Sequence, residues 1–366
     1  MSCWVRNQEV VRFMIDCLKA VGTKPEPAEI HACLLFEADR RGHLSHGLNR
    51  LELYINSIMK GLCEPNNKPK ILKETVSTAW VDANNSLGST SAHFGMDLAM
   101  QKAADTGVGW VAVKGCNHYG IGGYWAEKAA NCGMIGIAFT NSSPLLAPTR
   151  SKKAVLGTNP IAISAPASGK CGHFYLDMAT TVVALGKIEM MRRKGLPLQP
   201  GWAQGPDGKE TLDPVVAMKD PCLMPLGGSE KTAGHKGFGL SAAVEMFSGI
   251  LSGANFGHHV PPWGKTREKP KPPNLGHSFV ALDHKCFAPG FKDRVAECIN
   301  YWRAMDPADP RFPVLAPGDM EKKKAAETDA DGALQYVQQQ IDSSAALAKK
   351  IKVRPLDASS EKPKKL

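Results

Sequence analysis

Residues 8–60 carry three apolar stripes at helical spacing with no strand signal between them, and near residue 68 the chain changes to short β-rich runs separated by helices. The first stripe, Val10, Val11, Met14, Cys17, Leu18 and Val21, ends at Gly22 and the Pro25/Pro27 pair. The second predicts a helix over 27–41 with Ile30, Cys33, Leu34 and Ala38 on one face, stopped by Gly42. The third runs from His46 to about Lys60, with Ser45 as its cap and Gly61 at its end. Strands are then expected over 76–82, 108–113, 135–140, 162–165, 174–176 and 279–282, and helices over 92–104, 124–131, 180–194, 238–252 and 293–305. Residues 257–277, rich in Pro, Gly and His, read as a long surface loop. A last helix is expected over 332–350, followed by a disordered tail. No internal repeat is present. At 366 residues there is room for two or three domains or one large two-lobed unit.

The net charge is +10, gathered at 152–153, 192–194, 265–271 and 322–324. Such clusters are solvated loops and helix faces, or a positive field for anionic substrates and cofactor phosphates. No interleaved aromatics accompany them, so nucleic acid is not the expected partner. Ten cysteines without a CxxC pair read as buried free thiols in a reducing compartment, not as disulfides or a zinc site. No metal site is expected. No apolar run is long enough to span a membrane, and the N-terminus lacks a signal-peptide core. A cytoplasmic location is the expectation. The terminal Lys364-Lys365-Leu366 has Lys where a peroxisomal signal needs a small residue.

No GxGxxG fingerprint with its distal acidic residue occurs, and no P-loop. Gly120-Ile121-Gly122-Gly123 comes nearest, but with the wrong spacing. The segment around Ser45, His46 and Arg50 says more. With Ser45 as cap, His46 and Arg50 fall at i and i+4 on one helix face. A hydroxyl, an imidazole and a guanidinium then meet where backbone N–H groups favour an anion. That suits a 2-oxo or 2-hydroxy carboxylate: Arg50 grips the carboxylate and His46 exchanges a proton with the C2 oxygen. The same residues also fit a plain capping serine with a surface His and Arg. His118, after a strand and before a helix, is a second candidate base or a structural histidine. Gly157-Thr158-Asn159-Pro160 is a turn able to meet a cofactor or its own backbone. Asp177 either receives a cofactor hydrogen bond or caps the next helix. Lys236, near the start of an apolar helix, makes a phosphate site or a flexible helix start.

In this order, RGHLSHGLNRL (41–51), GCNHYGIGGYW (115–125), GTNPIA (157–162), LDMATTVVALGKIE (176–189), GHKGFGLS (234–241) and PGD (317–319) closely resemble the malate/L-lactate dehydrogenase family. Its members include ureidoglycolate and sulfolactate dehydrogenases and piperideine-2-carboxylate reductase. The resemblance implies an α/β (α+β) fold without a Rossmann domain. A NAD(P)-binding domain with a largely antiparallel sheet occupies 76–305. A helical substrate and dimerisation domain is formed by 1–75 and 306–352, and 353–366 form the tail. It implies a homodimer, a small 2-hydroxy or 2-oxo acid as substrate, and NAD or NADP, with NAD favoured. By the same resemblance Ser45, His46 and Arg50 lie at the substrate. His118, Tyr119, Gly120, Ile121, Gly122, Ser142, Asp177, Met178, Ala179, His235, Lys236, Pro317 and Gly318 lie at the cofactor.

Two positions depart from relatives. Leu44 stands where many have Asp. Lys187 stands where the imino-acid reductases carry an acid/base Asp, which favours an acyclic hydroxy acid. Lys187 is counted with His46, His118 and Ser45 among the catalytic residues; it adds positive charge that would suit a dicarboxylate such as malate, or it is a surface lysine. His46 and His118 both remain candidates for the proton carrier, with Ser45 orienting the imidazole or the substrate oxygen. An NADPH-dependent oxo- or imino-acid reductase and a catalytically silent relative are the rival readings.

Overall fold

The structure, a computed structural model, describes residues 2–263 and 271–363. The basic residues 265–270 and Lys364-Lys365-Leu366 lie outside the described residues. The chain opens with a strand, Ser2–Arg6 (β1), and the helices Asn7–Ala20 (α1), Pro25–Arg40 (α2) and Leu48–Met59 (α3). The central part follows as Lys70–Glu74 (β2), Thr78–Asp82 (β3), Gly88–Thr106 (α4), Val108–Cys116 (β4), Gly122–Asn131 (α5), Ile135–Thr140 (β5), Ile161–Ala165 (β6) and Phe174–Met178 (β7). Leu185–Lys194 (α6), Ala203–Gln204 (β8), Pro214–Lys219 (α7) and Cys222–Leu223 (β9) form a small subunit of packing of their own. Gly234–Glu245 (α8) continues as a π turn over Met246–Ile250, and Leu275–Leu282 (β10) returns to the sheet. Phe291–Arg303 (α9), Asp319–Asp331 (α10), Ala333–Val337 (β11) and Gln338–Ile351 (α11) complete the chain.

The main sheet has seven strands in the order β2-β3-β4-β10-β5-β6-β7. Every neighbouring pair is antiparallel except β3 with β4. This is the largely antiparallel, non-Rossmann sheet that the resemblance implies. Strand β10 is central, and its alternation sorts the two faces. Phe279 and Ala281 join Met96, Ala99, Trp125 and Ala129 of α4 and α5 in one core. Val280 points the other way, into a cluster with Val244 of α8 and Phe139 of β5. A strand covered on both faces is apolar throughout, which is why 275–281 are all buried.

The helical lobe draws on both chain ends. Phe13, Leu18, Leu35, Leu51 and Ile55 pack with Tyr336, Leu347 and Ala348. Strands β1 and β11 pair antiparallel, Ser2 opposite Val337. Neither strand was legible from sequence, because each partner lies at the opposite end of the chain and neither run alternates. The helix expected over 332–350 therefore breaks into β11 and α11, and α10 precedes it.

Other expectations are also corrected. The helix over 180–194 starts only at Leu185. Thr180 is held extended by donating from both its backbone N–H and its hydroxyl to the carbonyl of Thr158. The tail is ordered as far as it is described. Trp4 and Ser359 exchange both backbone hydrogen bonds, at 2.7 and 2.9 Å, and Val353, Leu356 and Ala358 cover the helical core. Residues 275–277, read as loop, belong to β10. Cys33 is exposed, because the buried face of α2 runs through Ala32, Leu35 and Asp39 instead. All ten cysteines are free thiols, and Cys3, Cys17, Cys63, Cys116 and Cys222 are the buried ones.

Candidate active site

The turn between α2 and α3 carries the Ser-His segment, and it is not built as the spacing suggested. Helix α3 starts at Leu48 with Gly47 before it, and no side chain of its own turn caps it. The cap comes from α2. Oδ2 of fully buried Asp39 accepts the Leu48 N–H at 2.9 Å and the Tyr336 hydroxyl at 2.7 Å. Gly47 is required here, because a Cβ at that position would overlap the Asp39 carboxylate. Burial pushes the Asp39 carboxyl up to about 7, against the lowering effect of those two bonds. Ser45 is thus freed from capping, and its Oγ lies 2.8 Å from His46 Nδ1. His46 precedes the helix, so it does not share a helix face with Arg50. The two still line one cleft.

That cleft has a volume of about 1850 Å³ and lies between the helical lobe and the edge of the sheet domain. Its wall includes Ser45, His46, Arg50, His118, Tyr119, Gly120, Ile121, Gly122, Ser142, Asp177, Met178, Ala179 and Lys187. It does not include His235, Lys236, Pro317 or Gly318. His235 and Lys236 are exposed on the first turn of α8, whose Gly237 packs on the cleft residue Leu226. Gly318 is buried behind β7 against Tyr175.

His118 ends the turn after β4. Its Nδ1 accepts the Gly120 N–H at 3.2 Å and lies 2.5 Å from the Tyr54 hydroxyl on α3. Its ring stacks with His46, 5.9 Å away at 25°, and with Trp263, 4.6 Å away at 23°. Both imidazoles are held neutral. For His46, burial first and then the charges of Arg50 and His43 lower the value to about 3. His118 lies well below the ordinary histidine range, through burial first and then His46 and Arg50. Arg50 is therefore a charge that both rings feel.

The opposite wall is made by the sheet edge. Asp177 stands next to the end of β7, and its Oδ2 accepts the Gly123 N–H at 2.7 Å, so it caps α5 and not the helix that follows it in sequence. Burial raises its pKa. A Cβ on Gly123 would overlap the Tyr175 phenol, so the close approach of α5 to β7 needs glycine. Ser142 Oγ accepts the Thr158 N–H at 3.0 Å. Buried Glu245 takes Asn141 at 2.9 Å and Asn159 at 2.6 Å, fixing the Gly-Thr-Asn-Pro turn.

This wall fits a dinucleotide on two observations. Buried Tyr119 Oη has no protein partner, and the cleft is cationic, with Arg50, Lys60, Lys153, Lys187, Arg193, Lys194 and Lys271 against Asp177, Glu189 and Asp220. Exposed Lys187 has its ammonium 5.9 Å from the Trp202 ring centre. Among the described residues no group of His, Cys, Asp and Glu is arranged to hold a metal. No helix is long and apolar enough to cross a membrane, again among the described residues.

Asp39, Tyr54 and Trp263 escaped the sequence reading. Tyr54 was within reach, since it stands one turn beyond Arg50 on the same helix row. Trp263 carries no sequence signal. It is placed by Ser143, whose Oγ accepts the Trp263 N–H and donates to the Pro261 carbonyl, both at 2.9 Å.

A family model described as malate/L-lactate dehydrogenase matches residues 5–343. A malate dehydrogenase of Pyrococcus abyssi is 44% identical over 299 residues, 81% of each chain. An L-sulfolactate dehydrogenase of Methanocaldococcus jannaschii is 38% identical over 314 residues, 85% of this chain and 87% of its own. Among solved structures, malate dehydrogenase from Entamoeba histolytica superposes with a TM-score of 0.90 at 32% identity, covering 97% of this chain and 99% of its own.

Proposed function

The chain belongs to the malate/L-lactate dehydrogenase family and is a 2-hydroxyacid oxidoreductase, and on that premise we propose its substrate, its cofactor preference and the work of each side chain. The substrate is an acyclic acid, malate and oxaloacetate first, lactate and pyruvate second. The observation that carries this reading is the stacked His46–His118 pair beside Arg50 in a cationic cleft. A bound nicotinamide, NAD in preference to NADP, would supply or accept the hydride at C2.

Arg50 grips the C1 carboxylate with two hydrogen bonds and fixes which face of C2 is presented. His118 carries the proton. It stands on the turn that leads into α5, yet its Nδ1 reaches Tyr54 on α3, so it joins the substrate wall to the cofactor wall. In reduction Nε2 of the imidazolium gives its proton to the C2 oxygen, and in oxidation the neutral ring takes it back. His46, held by Ser45, is the second donor to the same oxygen. Lys187 attracts a second anionic group at the rim, as in malate. Residues 119–122, Ser142 and 177–179 hold the cofactor. The resemblance also assigns His235, Lys236, Pro317 and Gly318 to the cofactor, although they lie outside this cleft wall.

A neutral imidazole held well below the ordinary histidine range is a poor proton carrier; burial is the larger cause, and the anionic substrate relieves the Arg50 contribution. Its carboxylate cancels the Arg50 charge that both rings feel, so their pKa values rise on binding. We further infer a homodimer, supported by the exposed apolar face of Met246, Ile250, Leu251 and Phe256, and a cytoplasmic location, supported by ten free thiols.

The test is a pair of variants. His118→Ala lowers kcat for oxaloacetate reduction at least about 100-fold with the reduced-cofactor Kd unchanged, and His46→Ala lowers it less. Near-normal turnover in His118→Ala would sink the assignment of the proton.

A further inference from the structure

Resting on the proton role of His118, we propose that Tyr54 is the positioning residue of the reaction, the hydroxyl that lets the His118 ring exist in both of the states it must cycle through. The phenol is fixed from every side. Tyr54 is 4% exposed, its ring meets the edge of His31 at 4.2 Å and of Trp263 at 5.3 Å, and its Oη lies 2.5 Å from His118 Nδ1. Burial holds the phenol protonated far above neutral pH.

Nδ1 has one other partner, the Gly120 N–H at 3.2 Å. The two partners differ in what they can do. A backbone N–H only donates, whereas a phenol hydroxyl donates or accepts by rotating its proton. Gly120 therefore favours a ring with a bare Nδ1 and its proton on Nε2. That form cannot take a proton at Nε2. In the reductive step the N–H bond at Nε2 breaks, its electron pair stays on the ring, and an O–H bond forms at the C2 oxygen while the cofactor supplies the hydride. The ring is left with its proton on Nδ1. Both the imidazolium and this neutral form present an Nδ1–H that needs an acceptor. Tyr54 Oη serves, and Gly120 cannot.

The other groups that face the ring are Arg50 on α3, His46 on the preceding turn, His31 on α2, His277 on β10 and Trp263. Burial holds His31 and His277 at about 3, so neither brings a charge. Neither is hydrogen-bonded to His118, and Arg50 repels the imidazolium. Tyr54 is thus the group that favours the protonated ring before substrate arrives.

The experiment uses oxamate, a non-reacting isostere of a 2-oxo acid, titrated into the enzyme with reduced cofactor bound and followed by nicotinamide fluorescence from pH 5 to 9. Oxamate's oxo oxygen takes its hydrogen bond from the protonated ring and its carboxylate offsets the Arg50 charge, so its affinity falls as pH rises toward the raised His118 pKa of the oxamate complex. Tyr54→Phe keeps the ring packing and removes only the acceptor. The midpoint is expected to move down by about one pH unit, the effect of one hydrogen bond to a charged group, raising the oxamate Kd at neutral pH about tenfold. The Kd of the reduced cofactor stays within about twofold. His118→Ala should flatten the profile. A Tyr54→Phe profile that superposes on the parent while His118→Ala is flat overturns the role of Tyr54 and leaves His118 in place. A parent-like midpoint in His118→Ala overturns the His118 reading itself. Loss of cofactor binding in Tyr54→Phe also counts against the proposal, since removing one acceptor on Nδ1 leaves Ser142 and residues 177–179 of the cofactor wall in place.

Discussion

Asp39 offers a perturbation whose sign changes with pH. Its carboxyl is fully buried, Oδ2 takes two donors and Oδ1 takes none. Burial pushes the folded carboxyl up to about 7, against an ordinary 3.8 in the unfolded chain. Between those values the native state keeps a proton that the unfolded chain has released, so stability falls as pH rises through that window and levels off above it. At 1.36 kcal/mol per unit, the whole window costs roughly 4 kcal/mol. Asp39→Asn keeps an oxygen for Leu48 and Tyr336 and never ionises. Its amide NH2 takes the place of the partnerless oxygen, at about 1–3 kcal/mol for an unsatisfied buried donor. The variant is therefore expected to be less stable than the parent near pH 4 and more stable by about 1–3 kcal/mol at pH 8. Urea unfolding of both proteins across this range, read by tryptophan fluorescence, measures the difference directly, and the other carboxylates cancel. A difference that stays constant with pH would refute the buried-carboxylate reasoning, as would a variant that is the weaker at pH 8.

Arg50→Ala should raise KM for the oxo acid about 10- to 100-fold, the loss of a paired charge-assisted contact, with a smaller effect on the reduced-cofactor Kd. The same variant raises the free-enzyme pKa of His46 and His118, because a nearby positive charge is gone, and an NMR titration of the imidazole protons reads that shift. Lys187→Ala should weaken kcat/KM for oxaloacetate more than for pyruvate, by several-fold and more at low salt. Equal losses on both substrates would remove Lys187 from substrate selection.

The sequence made the helical stripes and most central strands legible, since both are set by local periodicity. Residues 135–140 match β5 end for end. The cleft residues from 45 to 50, 118 to 122 and 177 to 179 were also found, because their motifs are contiguous. What escaped depends on contacts distant in the chain. The cap of α3 is supplied by Asp39 from another helix, so Ser45 looked like the cap it is not. Tyr54 and Trp263 converge on His118 from segments that no local pattern connects. Of the four residues outside the cleft wall, His235, Pro317 and Gly318 came only from the family resemblance, whereas Lys236 was also read from its place at the start of an apolar helix.

The pairing of β1 with β11 has a consequence for how the protein is made. The first helices leave the ribosome long before Tyr336, Leu347 and Ala348, which finish their core. Asp39 must wait for its Tyr336 donor, so the turn bearing Ser45 and His46 cannot settle until synthesis is nearly complete. The nascent amino-terminal helices thus carry an unfilled apolar face through almost the whole of translation, and they are the segment a chaperone would need to shield.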